Sequence, residues 1–137
     1  MFRRLAVLEN PDRRVAAGLN IGVENAAGDV IVVVGAHASL DERFIEENVR
    51  ALQETGAAAT GGPIRATGRT ETGRAIAAAL SHPFGVGDAR FRFSEAEGDV
   101  DTIACAAYRR ECFGALGGFE VDRDKGEDDH FNYLVRR

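Results

Sequence analysis

Asp29-Val-Ile-Val-Val-Val-Gly-Ala-His37 is the stretch whose reading decides the fold. Its five consecutive β-branched residues, Val30 to Val34, are too few for a helix and are bounded by Gly28-Asp29 and Gly35. Such side chains lose rotamers in a helix but pack well on a pleated surface. The run therefore predicts a strand buried on both faces, at the centre of a parallel sheet. Open α/β sheets bind their ligands just beyond the carboxyl ends of such strands. Gly35, Ala36 and His37 hold that position, so chemistry is to be sought near His37.

On the N-terminal side, Arg4 to Leu8 predicts a short strand stopped by Glu9-Asn10-Pro11. Asp12 is placed to cap a helix in which Val15, Leu19 and Val23 recur at helical spacing until Gly28. Gly18 and Gly22 share one face of it and predict the close approach of a neighbouring backbone. On the C-terminal side, Ser39-Leu-Asp-Glu42 has capping-box spacing, and Phe44, Ile45, Val49 and Leu52 form an amphipathic face up to Gly56. Ala57 to Thr60 predicts the next strand, broken by Gly61-Gly62-Pro63. Strand, helix, strand and helix joined by short links are the signature of a parallel α/β sheet.

Further along, Thr70 to Ser81 predicts an Ala-rich helix with Ile76 and Leu80 inward, halted at His82-Pro83. Phe84 to Asp88 reads as a loop, Arg90 to Ser94 as a half-exposed strand, and Glu95 to Asp99 as an acidic turn. Thr102 to Tyr108 predicts a strand and Arg110 to Leu116 a short helix ended by Gly117-Gly118. Asp122 to Gly126 is a polar loop. Glu127-Asp128-Asp129 then opens a last helix carrying Phe131, Leu134 and Val135.

Composition bounds the function. A chain of 137 residues makes one domain with a real core. A net charge of −5 without a Lys/Arg stripe argues against a nucleic-acid polymer as partner. No apolar run approaches the roughly 20 residues that span a bilayer, and no signal-peptide pattern opens the sequence. Cys105 and Cys112 read as free thiols in a reducing compartment, with a disulfide as the alternative; no Cys or His spacing matches a zinc site.

Glu127-Asp128-Asp129 is the densest carboxylate cluster. Acids at a helix start satisfy orphan amides and favour the macrodipole by about 0.3–1 kcal/mol each. Equally, one of them, held at the rim of the sheet, can take a proton from a substrate hydroxyl. A positioned base is worth roughly 10²–10⁴ in rate. Composition does not choose between the two. His37 alone is more often a loop residue than a ligand, and His82 and His130 have no second ligand at metal-binding spacing. Asp101-Thr102 reads as a turn before a strand, and Gly117-Gly118-Phe119 as a helix stop with an apolar anchor.

Taken in order, several stretches resemble the family-2 glycosyltransferases of GT-A fold, most closely the branch that builds bacterial exopolysaccharides of the succinoglycan type. They are Gly18-Leu-Asn-Ile-Gly22, Ala27-Gly-Asp-Val30, Val34-Gly-Ala-His-Ala38 and Pro83-Phe-Gly-Val-Gly87, followed by Asp101-Thr102, Arg109-Arg-Glu111, Gly117-Gly-Phe119 and Glu127-Asp-Asp-His-Phe-Asn-Tyr133. The resemblance implies a partial GT-A fold, α/β with three layers and a mostly parallel central sheet. It implies inverting transfer of a sugar from a nucleotide-sugar donor to a carbohydrate or lipid-linked acceptor in polysaccharide biosynthesis. Asp128 falls where the family carries its base, with Glu127 beside it. Gly117, Gly118, Phe119, Asp101 and Thr102 fall on the acceptor side. The donor and a Mg²⁺ or Mn²⁺ ion belong at Gly35 and His37, where Gly35 replaces the leading Asp of the family's motif and leaves His37 as the ligand. Both ions prefer carboxylate oxygen to a lone imidazole.

The family's opening nucleotide-binding strands are expected to lie ahead of Met1, so the chain reads as an incomplete transferase domain, inactive alone. An exposed apolar sheet edge then predicts a homo-oligomer, in the cytoplasm or at the inner face of the membrane. The alternative is a non-catalytic carbohydrate-binding or protein-interaction module derived from the same fold. A third reading, a metal-dependent hydrolase built on Glu127, Asp128 and Asp129, needs a second carboxylate cluster near His37. Only Asp41 and Glu42 are on offer, and they look like helix-start residues. The transfer reading requires Asp128 and His37 to emerge at the same rim of the sheet.

Overall fold

The computed structural model describes residues 4–123 and 125–137. Asp124, within the expected polar loop, lies outside the described residues. The elements are α1 (Val15–Asn25), β1 (Val30–Val32), α2 (Phe44–Thr55), β2 (Ala59–Thr60), α3 (Glu71–Leu80), the single turn α4 (Pro83–Val86), β3 (Ala107–Arg109), α5 (Arg110–Leu116) and α6 (Glu127–Arg136).

The sheet differs from the one expected. It has three strands in the order β1-β3-β2, and both neighbours run antiparallel to β3. Val30, Ile31 and Val32 face Arg109, Tyr108 and Ala107, while Ala59 and Thr60 face Tyr108 and Ala107. β1 and β2 thus run the same way, as a strand–helix–strand crossover through α2 requires, but β3 lies between them in reverse. No sequence pattern near Val30 announces a strand inserted from some seventy-five positions later. The fold is α/β, and among the described residues the pairing is antiparallel rather than mostly parallel. The central strand is β3, whose Ala107 and Tyr108 are fully buried, and not the valine run, where pairing ends near Val33 and Val34 is exposed.

Two other expected strands are absent. Residues 4–8 are irregular, with Leu5 91% and Val7 95% exposed. A strand exists through its ladder, and this segment pairs with no described strand. Arg90 to Arg92 form a 3₁₀ turn instead of a strand, closed by the Phe93 and Ser94 amides on the Arg90 carbonyl. The strand expected from Thr102 begins only at Ala107, because Cys105 adopts φ +51° and turns the chain before pairing starts. Conversely, the expected loop after Pro83 contains α4, capped by His82, whose Nδ1 accepts the Phe84 amide at 3.1 Å.

Helix starts and faces also shift. Asp12 does not cap α1, whose N-cap is Arg14, and its inward face is Ala16, Leu19 and Val23, leaving Val15 exposed. Gly18 lies against the Asn10 side chain, whereas a Cβ on Gly22 would meet nothing. The Ser39–Glu42 capping box does not form: α2 begins at Phe44, and Asp41 Oδ1 accepts the Arg43 amide instead. The buried side of α2 is Asn48 and Leu52 rather than Ile45. α3 forms within the expected 70–81 stretch, with Thr70 as its N-cap, yet Ile76 and Leu80 face outward.

The core is an aromatic quartet. Tyr108 meets Phe113 and Phe131 edge-on at 5.5 and 5.3 Å, Phe131 stacks on Phe113 at 4.8 Å, and Phe119 lies 4.8 Å from Phe131. Burying each ring stabilises by about 1.5–3 kcal/mol, with roughly 0.5–1.5 more per well-placed pair. Two adjacent arginines bind the flanking helices to β3. Arg109 donates to the carbonyls of Leu52 and Ala57 at the end of α2, and Arg110 to those of Gly28 and Ala26 beyond α1. Each guanidinium satisfies orphan carbonyls at a negative helix terminus. Both cysteines are free thiols.

Candidate functional site at the sheet rim

Strand register assembles the site. Beyond Val33, whose amide donates to Ala106, the chain leaves β1 at the end where β3 begins. β2 ends there too, with Gly61 so close to Ile103 that a Cβ would sit 3.0 Å from its side chain. α6 is tied to the same end through residues 102 and 103. The rim therefore gathers the turn holding Gly35 and His37, the Gly61-Gly62 exit, Asp101-Thr102 and the first turn of α6.

The tie is a directional chain of hydrogen bonds. The Tyr108 hydroxyl donates to Asn132 Oδ1 at 2.8 Å; Asn132 Nδ2 donates to Ile103 O at 2.9 Å and Thr102 Oγ1 at 3.0 Å; Thr102 Oγ1 donates to Asp129 Oδ1 at 2.5 Å. Both hydrogens and the oxygen of the buried Asn132 amide are used, which fixes its orientation. Burial, reinforced by the Asp128 and Asp129 carboxylates, pushes the Tyr108 phenol above its ordinary range and keeps it a donor.

That chain sorts the three acids. Asp129 is the structural anchor. Asp128 accepts only the Asp129 amide, at 2.9 Å, and among the described residues has no cation within salt-bridge reach. It is half-buried, and burial raises its carboxyl above the usual range; the Asp129 and Glu127 charges push the same way, while the amide bond opposes them. Glu127 opens the helix beside it behind Gly126, which takes φ +74° and supplies no side-chain cap.

The remaining expected site residues divide. Asp101 pairs with Arg136 in the last turn of α6, whereas Thr102 belongs to the anchoring chain and touches Asp129 in the first. Gly35 and His37 form a turn closed by the Ala38 amide on the Gly35 carbonyl at 3.0 Å, with the exposed imidazole folded back over Gly35. Gly117, Gly118 and Phe119 form a structural lock in which Gly117 is exposed and Phe119 buried. Phe119 is 3% exposed, and Asn20 clamps its backbone with two bonds of 2.8 Å, donating to the carbonyl and accepting the amide. Gly118 takes φ +83° against Asn20 Oδ1, where a Cβ would sit 2.7 Å away. His82 serves as a cap, and His130 lies 3.4 Å from Glu120.

Among the described residues no group of three or more His, Cys, Asp or Glu side chains is arranged to hold a metal ion, and the three adjacent acids form none. Two shallow hollows, about 190 Å³ beside Pro63 and Arg92 and about 440 Å³ between α5 and α6, are lined by neither Asp128 nor His37. The rim is open. Asn132, Asn20 and the two arginines lie inside stretches that carry the family resemblance, but the sequence gives none of them a role of its own. The available signal was Asn132 beside Phe131 on the apolar face of α6, since a polar group inside a core must find partners.

The family model for Glycosyl transferase family 2 matches residues 1–117, which include all three strands of the rim and stop short of α6. A curated protein of Methanococcus voltae is 31% identical over 52 residues. It is named dolichyl N-acetyl-alpha-D-glucosaminyl phosphate 3-beta-D-2,3-diacetamido-2,3-dideoxy-beta-D-glucuronosyltransferase. The aligned stretch is 38% of this chain and 16% of that protein. No solved structure matches.

Proposed function

Because the chain belongs to glycosyl transferase family 2, we propose that its sheet rim serves inverting transfer of a sugar from a nucleotide-sugar donor to a carbohydrate or lipid-linked acceptor in polysaccharide biosynthesis. Membership implies a GT-A-like α/β fold. The observation that carries the assignment of roles is the sorting of the acids: Asp129 is bound into the structure, while Asp128 is half-buried, raised and uncommitted. Asp128 takes the proton from the acceptor hydroxyl as that oxygen attacks the anomeric carbon, and the diphosphate departs from the opposite face. Glu127 and Asp129 keep the base's affinity for a proton high. Thr102 and Asn132 position the helix that presents it.

The donor set does not fit a protein-held Mg²⁺ or Mn²⁺. His37 offers one nitrogen where these ions take oxygen, and no carboxylate stands in the Gly35 turn. No helix of the described residues is long and apolar enough to cross a membrane. The chain spans about a sixth of the relative it matches, so the complete reaction, its cytoplasmic location and self-association through the unpaired edge of β1 are proposals for the protein as a whole.

The test is Asp128→Asn, assayed for sugar release and transfer with nucleotide-sugar donors. Transfer is expected to fall about 10²–10⁴-fold. The fold keeps its stability at neutral pH, because the amide oxygen still accepts the Asp129 N–H and no charge is buried. Linkage fixes the sign for the wild type. A carboxyl raised on folding stabilises most below its unfolded value, and that contribution is lost as pH rises through the raised one. Stability between the ordinary carboxylate range and the raised value should thus be less pH-dependent in Asp128→Asn, while wild-type transfer fails on acidification above the ordinary carboxylate range. Unchanged transfer in Asp128→Asn would refute the assignment. A second reading, a non-catalytic carbohydrate-binding module, is favoured by the Gly35 turn and the missing cation cage. Saccharide binding without any binding of nucleotide-sugar would select it.

A further inference from the structure

One hydroxyl, that of Thr102, joins the segment ahead of β3 to the first turn of α6, and its hydrogen bonds have a fixed direction. Tyr108 has a single proton to give and gives it to Asn132 Oδ1. That turns the Asn132 amide hydrogens toward the Ile103 carbonyl and Thr102 Oγ1, at 2.9 and 3.0 Å. The Thr102 oxygen is thereby an acceptor on one side, and its own proton goes to Asp129 Oδ1 at 2.5 Å, the length of a hydroxyl donating to a carboxylate. Asp129 is otherwise an exposed side chain, and among the described residues no cation is paired with it. Without the Thr102 proton its carboxylate is free to turn into water.

The position of that carboxylate acts on Asp128. The Asp128 carboxyl accepts the Asp129 backbone amide at 2.9 Å, so both acid groups are tied to one helical turn. Two like charges held close together repel, and the repulsion is relieved when the less solvated of them takes a proton. Asp128 is the half-buried one and Asp129 the exposed one. Burial is the larger cause of Asp128's raised affinity for a proton, and the Asp129 charge adds to it. The other groups around Asp128 do not cancel that charge. Glu127 adds one of the same sign from the same helix, and from β3 the Tyr108 phenol stays protonated. The nearby cations are taken elsewhere, Arg123 and His130 by Glu120 and Arg136 by Asp101.

We propose that Thr102 is a positioning residue for the base: its hydroxyl pins the Asp129 carboxylate beside Asp128, so that Asp128 takes a proton more readily than burial alone would make it. This rests on the reading of Asp128 as the base. It goes beyond the anchoring of α6, a task that Thr102 shares with Asn132.

The experiment follows the Asp128 side-chain carboxyl by carbon-13 NMR through a pH titration of the full chain. In Thr102→Val the midpoint should move down toward the ordinary carboxylate range, and Thr102→Ser, which keeps the hydroxyl, should restore it. Asp129→Asn should lower it as well, since the amide oxygen still accepts from Thr102 but the charge is gone. Adding Thr102→Val to Asp129→Asn should then shift it no further. In a transfer assay Thr102→Val should lose about tenfold, with the acid limb of its pH profile displaced downward like the midpoint. An Asp128 midpoint unmoved in Asp129→Asn, or in a Thr102→Val that circular dichroism shows folded, overturns the proposal. So does an undiminished shift when Thr102→Val is added to Asp129→Asn, which would leave Thr102 an anchor only. Should Thr102→Val fail to fold, Asp129→Asn decides. Failure of the transferase reading looks different: transfer unchanged in Asp128→Asn, with the titrations as expected.

Discussion

Removing a single oxygen, in Tyr108→Phe, tests whether the chain through Asn132 holds the rim together. The ring stays in its aromatic cluster, so packing is conserved. What changes is the donor to Asn132 Oδ1, which lies 2.8 Å from the hydroxyl and is shut off from water, with Tyr108 1% and Asn132 6% exposed. A buried hydrogen bond contributes about 0.5–1.5 kcal/mol net, and a partner left unsatisfied costs about 1–3 kcal/mol. Relief from desolvating the phenol offsets part of this, so a loss of about 1–3 kcal/mol is expected. A domain of this size should lose about 3–5 °C in Tm per kcal/mol. Urea unfolding at pH 7 reads the effect as a lower midpoint at constant slope. The same change in an Asn132→Leu background should cost less by at least about 0.5 kcal/mol, because the acceptor is already gone. A loss below about 0.5 kcal/mol in the single variant, or full additivity in the double, would refute the chain as an anchor of α6.

Three further outcomes are expected. Gly118→Ala combines a positive φ with a clash on Asn20, and should destabilise by about 1–3 kcal/mol in the same urea assay; an unchanged midpoint would mean the lock is loose. Gly35→Asp puts a carboxylate in the turn, displacing only the His37 ring, and should create Mn²⁺ binding visible by titration calorimetry that the wild type and Gly35→Asn lack; equal heats in all three would contradict the donor-set argument. Light scattering after size exclusion should show more than a monomer at high concentration if the free edge of β1 pairs with a second copy, and a clean monomer would dismiss self-association.

The acids show where sequence reading stopped. Glu127-Asp128-Asp129 at a helix start was legible as either a cap or a base. Only the Thr102 hydroxyl, brought from 27 positions away, assigned Asp129 to structure and left Asp128 uncommitted. Gly117-Gly118-Phe119 was legible as a helix stop with an apolar anchor, and the fold makes it that, through Asn20, 99 positions from Phe119.

Local chemistry fixed what depends on neighbours a few residues apart. Thr70 caps α3, Gly56 and Gly117 end α2 and α5 in left-handed conformations, and the β-branched run at Val30 yields strand, over Val30–Val32, rather than helix, since each outcome follows from φ, ψ and side-chain bulk at that spot. Family resemblance was likewise written in the order of short motifs. Tertiary structure alone decided strand direction, the central place of Ala107–Arg109, and the outward face of Ile76 and Leu80. Hydrogen-bond ladders and burial are contracts between distant segments, and no local pattern records which edge a strand will meet or whether a helix face will find a partner.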